Sequence, residues 1–255
     1  MKVLVVTATL GYRDSLKRTI ESVKTIGGED VRHIVIAPED KIPFIKSLCG
    51  FDIECIAEPK GCRGIYAALN LVFYTYGRQY EYLTFINDDD YWLPDYRKII
   101  AYVARHPQTG VVYAKTLYVN EENKVIKKQA CSNQFYAFND LFHEKVLLLT
   151  QQTTLIKSNL FFKIGGFDET YKLVADTKFW IQASLLKPAY KYLKLYVSCY
   201  TLQENQLSKD GITQEKEHQR LRLEFPPSNM LKRQWALLKY RFYNLNIYIM
   251  RFLRK

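Results

Sequence analysis

The run Tyr82-Leu83-Thr84-Phe85-Ile86 stops at Asn87-Asp88-Asp89-Asp90 and continues as Tyr91-Trp92-Leu93-Pro94-Asp95. Five β-prone residues leading into three adjacent carboxylates describe a strand that delivers charge to the C-terminal edge of a sheet, where open α/β sheets hold their ligands. Like charges at consecutive positions repel unless a cation lies among them, and a divalent metal that also takes phosphate oxygens is the cation such clusters suit. The competing explanation is a polar turn capping the helix that Pro94-Asp95 starts. One cap needs one carboxylate, not three.

The same grammar repeats upstream. Residues 3–7 read as a buried strand, and Asp14 or Ser15 caps a helix whose Leu16, Ile20 and Val23 share one face until Gly27-Gly28 ends it. Residues 33–37 and 53–57 are further short strands, with a helix over 43–48 between them. After Gly61-Cys62-Arg63-Gly64 comes a helix over 65–73, which Gly77 ends before the acidic strand. Such alternation specifies an α/β fold whose mainly parallel sheet is covered on both faces. Beyond Pro94 the pattern becomes mixed: a helix over 96–104, a strand over 110–115, a hairpin turning at Asn120-Glu121-Glu122-Asn123, a short helix after Ser158, and a helix over 175–186.

The chain has 255 residues, 48% of them hydrophobic, enough for one α/β domain with appendages. Its net charge is +11, and seven bases (Lys232, Arg233, Lys239, Arg241, Arg251, Arg254 and Lys255) fall in an acid-free stretch over 228–255. Trp235, Tyr240, Phe242, Tyr243, Tyr248 and Phe252 interleave with them. This helical tail either lies on an anionic membrane surface or packs its apolar side on the domain. Five scattered cysteines with no Cys-x-x-Cys pair argue against a disulfide scaffold or zinc site and for reduced, cytoplasmic thiols. The apolar N-terminal run is short and lacks a cleavage pattern, so it reads as a strand and not a signal peptide. No stretch approaches the roughly 18 apolar residues of a spanning helix.

Neither the dinucleotide fingerprint nor the P-loop occurs, so any phosphate is held another way, and Mg²⁺ or Mn²⁺ on the acidic cluster is the available route. Asp176 starts a helix beside Phe179 and Trp180. It reads as a cap, or as a proton acceptor whose pKa burial raises and the helix N-terminus lowers. Gln151-Gln152-Thr153-Thr154 offers neutral groups of the kind that hold sugar hydroxyls, or marks an ordinary strand start. His33, His106, His143 and His218 have no ligand spacing and read as structural or solvated.

Together these segments resemble the family 2 type of inverting GT-A glycosyltransferases, over residues 1–186 and in the expected order. The run from Ile86 to Asp95 is similar to the DxD-like motif of spore-coat-polysaccharide-type members. That likeness implies Asp89 as the ligand of Mn²⁺ or Mg²⁺, Asp88 near the nucleotide ribose, and Asp90 as a ribose contact or a support for the metal site. Gly64-Ile65-Tyr66-Ala67-Ala68-Leu69-Asn70 looks like the family's Gly-Ile-Tyr-Asp-Ala-Met-Asn segment, with Ala67 in place of the aspartate. Arg63 would then face the base or diphosphate, and Thr7, Thr9 and Tyr12 would line the nucleotide pocket. Glu39 stands near where the family has a uracil-reading aspartate, which favours UDP or dTDP without fixing the base. Gly165-Gly166-Phe167-Asp168-Glu169 through Asp176 is similar to the segment that ends in the family's general base, which assigns that role to Asp176. Gln151-Gln152 sits where relatives often carry His-Gln, near the acceptor.

With the acid-free tail (228–255) set apart, the chain is expected to form one GT-A domain over residues 1–227, with a nucleotide-sugar-binding half (1–95) and an acceptor half (96–227). The resemblance implies inverting transfer from a nucleoside-diphosphate sugar to a glycan or lipid-linked acceptor in bacterial surface-polysaccharide biosynthesis in the cytoplasm, and the tail adds the expectation of attachment at the inner face of the membrane. A sugar-phosphate nucleotidyltransferase shares the fold class, but Thr9-Leu10-Gly11-Tyr12-Arg13 is a poor version of its phosphate loop. A basic nucleic-acid-binding protein fits badly with acids at the sheet edge and bases gathered in the tail, so no nucleic acid is expected.

Overall fold

The computed structural model describes residues 1–203 and 210–252; Arg254 and Lys255 of the basic tail lie outside the described residues. The first half contains β1 (Val3–Ala8), α1 (Ser15–Gly27), β2 (Val31–Ala37), α2 (Ile42–Cys49), β3 (Glu54–Ala57), α3 (Ile65–Tyr76) and β4 (Tyr82–Phe85). The second half adds β5 (Tyr91–Trp92), α4 (Tyr96–Arg105), β6 (Val111–Val119), β7 (Val125–Lys128), α5 (Phe138–His143), β8 (Thr154–Lys157), α6 (Ser158–Ile164), α7 (Ala175–Leu185) and β9 (Tyr190–Thr201). Three helices follow: α8 (Gly211–Glu224), α9 (Met230–Tyr243) and α10 (Leu245–Phe252).

One sheet runs β3-β2-β1-β4-β8-β6-β9-β5, with β7 paired to β6. Its first four strands are parallel, and beyond them β8 lies antiparallel to both β4 and β6 while β9 runs parallel to β6. The expected mainly parallel half and mixed half are both present. Parallel strands need both faces covered, which explains the unbroken apolar runs. Val3 and Val5 pack with Val23 and Ile26 of α1 and with α4, whereas Leu4 and Val6 pack with Leu69, Val72 and Phe73 of α3. The hairpin forms as expected, with Asn123 at φ +63° in its turn.

The register places strand ends side by side. Val6 pairs with Phe85, Ala8 with Ile36, and Ala37 with Ala57, so Asp88, Thr9, Glu39 and Glu58 follow successive strands out of one edge. Two strands beyond the sequence reading, β5 and the long β9, pair with each other and carry Thr201 back beneath the acidic cluster.

The tail settles one face on the body. Ala236, Leu237 and Tyr240 of α9 are buried, the Tyr240 hydroxyl donates to the Ala130 carbonyl (2.8 Å), and buried Asn244 accepts from the Cys131 amide (3.1 Å). The opposite face leaves Leu231, Trp235, Leu238 and Phe242 exposed, the last at 79%. No helix among the described residues is long and apolar enough to cross a membrane, and all five cysteines are free.

Candidate active site

The acidic turn after β4 is held from below by α1. The Ser15 hydroxyl donates to the Asp88 carbonyl (3.0 Å) and buried Thr19 donates to the Asp90 carbonyl (2.6 Å). These bonds fix three consecutive carboxylates in different directions. Asp88 accepts from the Thr9 hydroxyl (2.6 Å) and from Arg13 Nη1 (3.3 Å), and the same Arg13 nitrogen contacts Asp89 Oδ2. Burial raises the Asp88 pKa, outweighing Thr9 and Arg13. Asp90 is fully buried and turned inward, accepting from the Thr201 amide (3.0 Å) and from Asn87 Nδ2 (3.4 Å). Burial first, and the neighbouring Asp89 charge second, push its pKa well up. Asp90 therefore braces the turn against β9, while Asp88 and Asp89 together meet a cation.

No three histidine, cysteine or carboxylate side chains among the described residues form a metal cage. Two hard carboxylate oxygens are nonetheless the donor set that Mg²⁺ or Mn²⁺ takes when substrate phosphates complete its shell. The convergence of both groups on one guanidinium nitrogen shows that their geometry accepts a positive charge between them. Asp88 and Asp89 thus fit such an ion.

Two clefts flank this point. One of about 580 Å³ is lined by Pro38, Glu39, Asp40, Glu58, Pro59 and Lys60, at the ends of β2 and β3. Tyr12 is exposed, with Lys41 Nζ 5.2 Å from its ring centre, and exposed Arg63 lies on the loop that continues from Lys60. Burial raises the Glu58 pKa. The other, of about 410 Å³, is lined by Arg13, Arg18, Glu121, Thr201 and Gln203 among others. Arg18 donates to the Asp89 carbonyl and to Thr201 Oγ1, both at 3.2 Å.

Thr7 is not brought to either cleft. It is fully buried and its hydroxyl meets His33 Nε2 at 2.9 Å. Burial pushes His33 down to about 4, so that imidazole is neutral at pH 7.

Asp176 lies in the first turn of α7. Its Oδ1 accepts from the Thr177 amide (2.7 Å) and from the Tyr66 hydroxyl (3.1 Å), and its side chain keeps a partly open surface. Burial raises its pKa, against the pull of these donors. Burial also raises Tyr66 well above the usual phenol range, so the hydroxyl stays protonated and donates. Two sequence segments are thereby locked together. Asn70 Nδ2 donates to the Phe167 carbonyl and to Glu169 (both 2.8 Å), and its Oδ1 accepts from the Phe167 amide (2.9 Å). Gly166 passes this amide at φ +76°, and a Cβ there would lie 2.8 Å from both Asn70 Oδ1 and the Tyr74 hydroxyl.

The loop before α7 is gripped by α8, a residue set that the sequence did not reveal. Glu217 accepts from the amides of Lys172 (2.6 Å), Leu173 (2.9 Å) and Val174 (3.2 Å). Nearby, almost buried Lys178 pairs with Asp168 (2.8 Å) and with Glu224. Burial pushes Asp168 up, but Lys178 and Thr170 outweigh it and hold the carboxyl at about 2. Gln151 and Gln152 are buried ahead of β8, and neither amide atom of Gln152 finds a partner among the described residues. Buried amides are rarely left unpaired, so Gln152 has hydrogen-bonding capacity to give.

The family profile described as glycosyltransferase-like family 2 matches residues 37–252, and the chain belongs to that family. Solved structures agree on the fold. Residues 1–349 of Staphylococcus aureus TarS superpose with a TM-score of 0.60 at 15% identity, covering 79% of this chain and 60% of that one. The same TarS segment with UDP-GlcNAc gives 0.64 at 14% identity, covering 96% and 73%. The longer TarS chain gives 0.63 at 12% identity, covering 96% and 43%. The chain thus spans less than two thirds of the length of some of these structures, and at such identities the likeness establishes the GT-A fold. No curated protein sequence matches the chain.

Proposed function

We propose that this protein transfers a sugar from a nucleoside-diphosphate sugar to an acceptor hydroxyl by single displacement with inversion. The observation that carries this reading is the Asp88–Asp89 pair, converging on one cation beside an open cleft at the C-terminal sheet edge. The nucleotide base enters the cleft bounded by Glu39 and Glu58, whose carboxylates suit the N3–H of uracil or thymine; UDP and dTDP are the favoured carriers. TarS has been solved with UDP and with UDP-GlcNAc, which supports a UDP-sugar donor. Tyr12 stacks on the base, and Arg63 and Arg18 face the diphosphate.

Asp88 and Asp89 would hold Mn²⁺ or Mg²⁺, which when bound offsets negative charge gathering on the departing diphosphate. Asp176 accepts the acceptor hydroxyl's proton as the glycosidic bond forms, with Tyr66 and the Thr177 amide aiming its carboxylate. Gln151 and Gln152 orient sugar hydroxyls. No covalent intermediate is required.

The acceptor is a glycan or lipid-linked glycan of bacterial surface-polysaccharide synthesis, met at the inner face of the cell membrane. Support comes from the outer face of the tail, where Leu231, Trp235, Leu238 and Phe242 form a stripe at helical spacing beside Lys232, Lys239 and Arg241. Apolar bulk flanked by bases complements an anionic lipid surface.

A thermal-shift screen of UDP-, dTDP- and GDP-sugars with and without Mn²⁺ tests the reading, since a matched donor raises the melting temperature by mass action. Stabilisation by a UDP- or dTDP-sugar that Asp89→Ala abolishes is the expected result. No shift with any donor defeats it.

A further inference from the structure

Arg13 occupies a position that the proposed reaction needs for something else. Its Nη1 lies 3.3 Å from Asp88 Oδ1 and in closer contact with Asp89 Oδ2, and the two carboxylate side chains are only 14% and 5% exposed. A guanidinium is therefore the resident counter-charge of this recess. Arg13 itself is 29% exposed, on the short loop between β1 and α1, and lines the 410 Å³ cleft together with Arg18. The side chain has open space to move into on the side where Arg18 already presents positive charge.

Charge counting limits what can share the recess. Asp88, Asp89 and Arg13 leave one negative charge. Adding a divalent ion while Arg13 stays would leave a positive excess and set two cations against the same oxygens. A diphosphate arriving with the ion changes the count, because its oxygens accept a planar guanidinium fork well.

We infer that Arg13 keeps the divalent ion out of the nucleotide-free site and swings from Asp88–Asp89 onto the donor's diphosphate when ion and nucleotide arrive together. The inference rests on the reading of Asp88 and Asp89 as metal ligands. It makes metal loading conditional on donor, and it gives Arg13 two successive anionic partners within one catalytic cycle.

Electron paramagnetic resonance of free Mn²⁺, titrated against the full chain, reads this directly without turnover. Wild type binds Mn²⁺ weakly alone and at least tenfold more tightly with UDP present. Arg13→Met binds Mn²⁺ alone at least tenfold more tightly than wild type, and Arg13→Lys, which keeps the charge, stays near wild type. Arg18→Met removes a charge from the same cleft without freeing a carboxylate, and because Thr201 Oγ1 still donates to the Asp89 carbonyl, it changes Mn²⁺ affinity in the absence of nucleotide less than threefold. If wild type binds Mn²⁺ with UDP but Arg13→Met, shown folded by its melting curve, binds Mn²⁺ alone no more tightly than wild type or than Arg18→Met, the exchange is overturned and the ligand assignment stands. If neither wild type nor Arg13→Met binds Mn²⁺ even with UDP, Asp88 and Asp89 are not metal ligands and the inference falls with that assignment.

Discussion

The Tyr66 hydroxyl reaches Asp176 Oδ1 at 3.1 Å, joining the first turn of α3 to the first turn of α7 across 110 positions of sequence. A phenol held protonated by burial donates to a carboxylate whose own pKa burial raises. The donor tempers that rise and aims the lone pairs of the carboxylate proposed as the base.

Tyr66→Phe removes the tempering. A hydrogen bond to the charged form lowers a carboxyl pKa, so its loss raises the pKa of Asp176 and moves the acidic limb of the kcat profile to higher pH. We expect kcat to fall roughly tenfold to a hundredfold at neutral pH, partly recovered at pH 8–9, with donor KM unchanged. Steady-state kinetics between pH 5 and 9 checks both limb and magnitude.

On the proposed mechanism, Asp176→Asn should keep nucleotide binding and lose turnover by about a thousandfold or more in a transfer assay. The same change affects stability in a pH-dependent direction. Because the folded pKa of Asp176 lies above its unfolded value, burial of the charged form destabilises the fold above that folded pKa, and the penalty disappears as pH falls to the unfolded value near 4. The variant should melt above wild type at pH 8, by roughly 2–4 °C for each kcal/mol regained, with the difference closing toward pH 4. Equal melting at every pH would contradict this.

Gly166→Ala places a methyl 2.8 Å from the Asn70 amide in a backbone conformation that L residues resist. The expected loss is about 1–3 kcal/mol in urea unfolding.

Glu217→Ala orphans three amide groups in the loop that leads to Asp176. Since these donors face a charged acceptor, we expect destabilisation of about 2–4 kcal/mol and faster proteolysis within residues 170–175. Glu217→Gln, which keeps one acceptor oxygen, should recover part of both.

Trp235→Ser with Phe242→Ser removes two side chains that already face outward, so melting should change little. Sedimentation with anionic vesicles should lose most of the bound fraction, because each such side chain contributes roughly 1.5–3 kcal/mol when it leaves water. Unchanged binding would refute membrane contact through this face.

Much of the frame is readable in the chain, because parallel strands buried on both faces announce themselves as uninterrupted apolar runs. The run over 82–86 and the acids after it land where such a run must, at the sheet edge. Thr7 shows the limit of that logic. It shares alternation parity with Thr9, yet β1 ends at Ala8 and the chain turns, so Thr9 reaches Asp88 while Thr7 stays on His33. The roles of Arg13, Thr201 and Glu217 are not legible in the sequence for another reason. Their partners lie 75, 111 and 45 positions away, and no local period encodes a contact made by tertiary closure. Asp90 looked like its two neighbours because sequence carries composition, whereas the direction of each carboxylate comes from α1 and β9. The β9 segment does alternate Tyr190, Tyr192, Leu193, Leu195 and Val197 with lysines, but nothing local in that pattern names its partner β6.

The clasp between Asn70 and Gly166 has a bearing on descent and on engineering. An amide that fits only against a residue without a side chain makes the two positions a single heritable unit: whichever changes first strands the other. A hybrid that brings in a segment lacking the asparagine at position 70, or one lacking the glycine at 166, should therefore lose stability unless both segments are exchanged together.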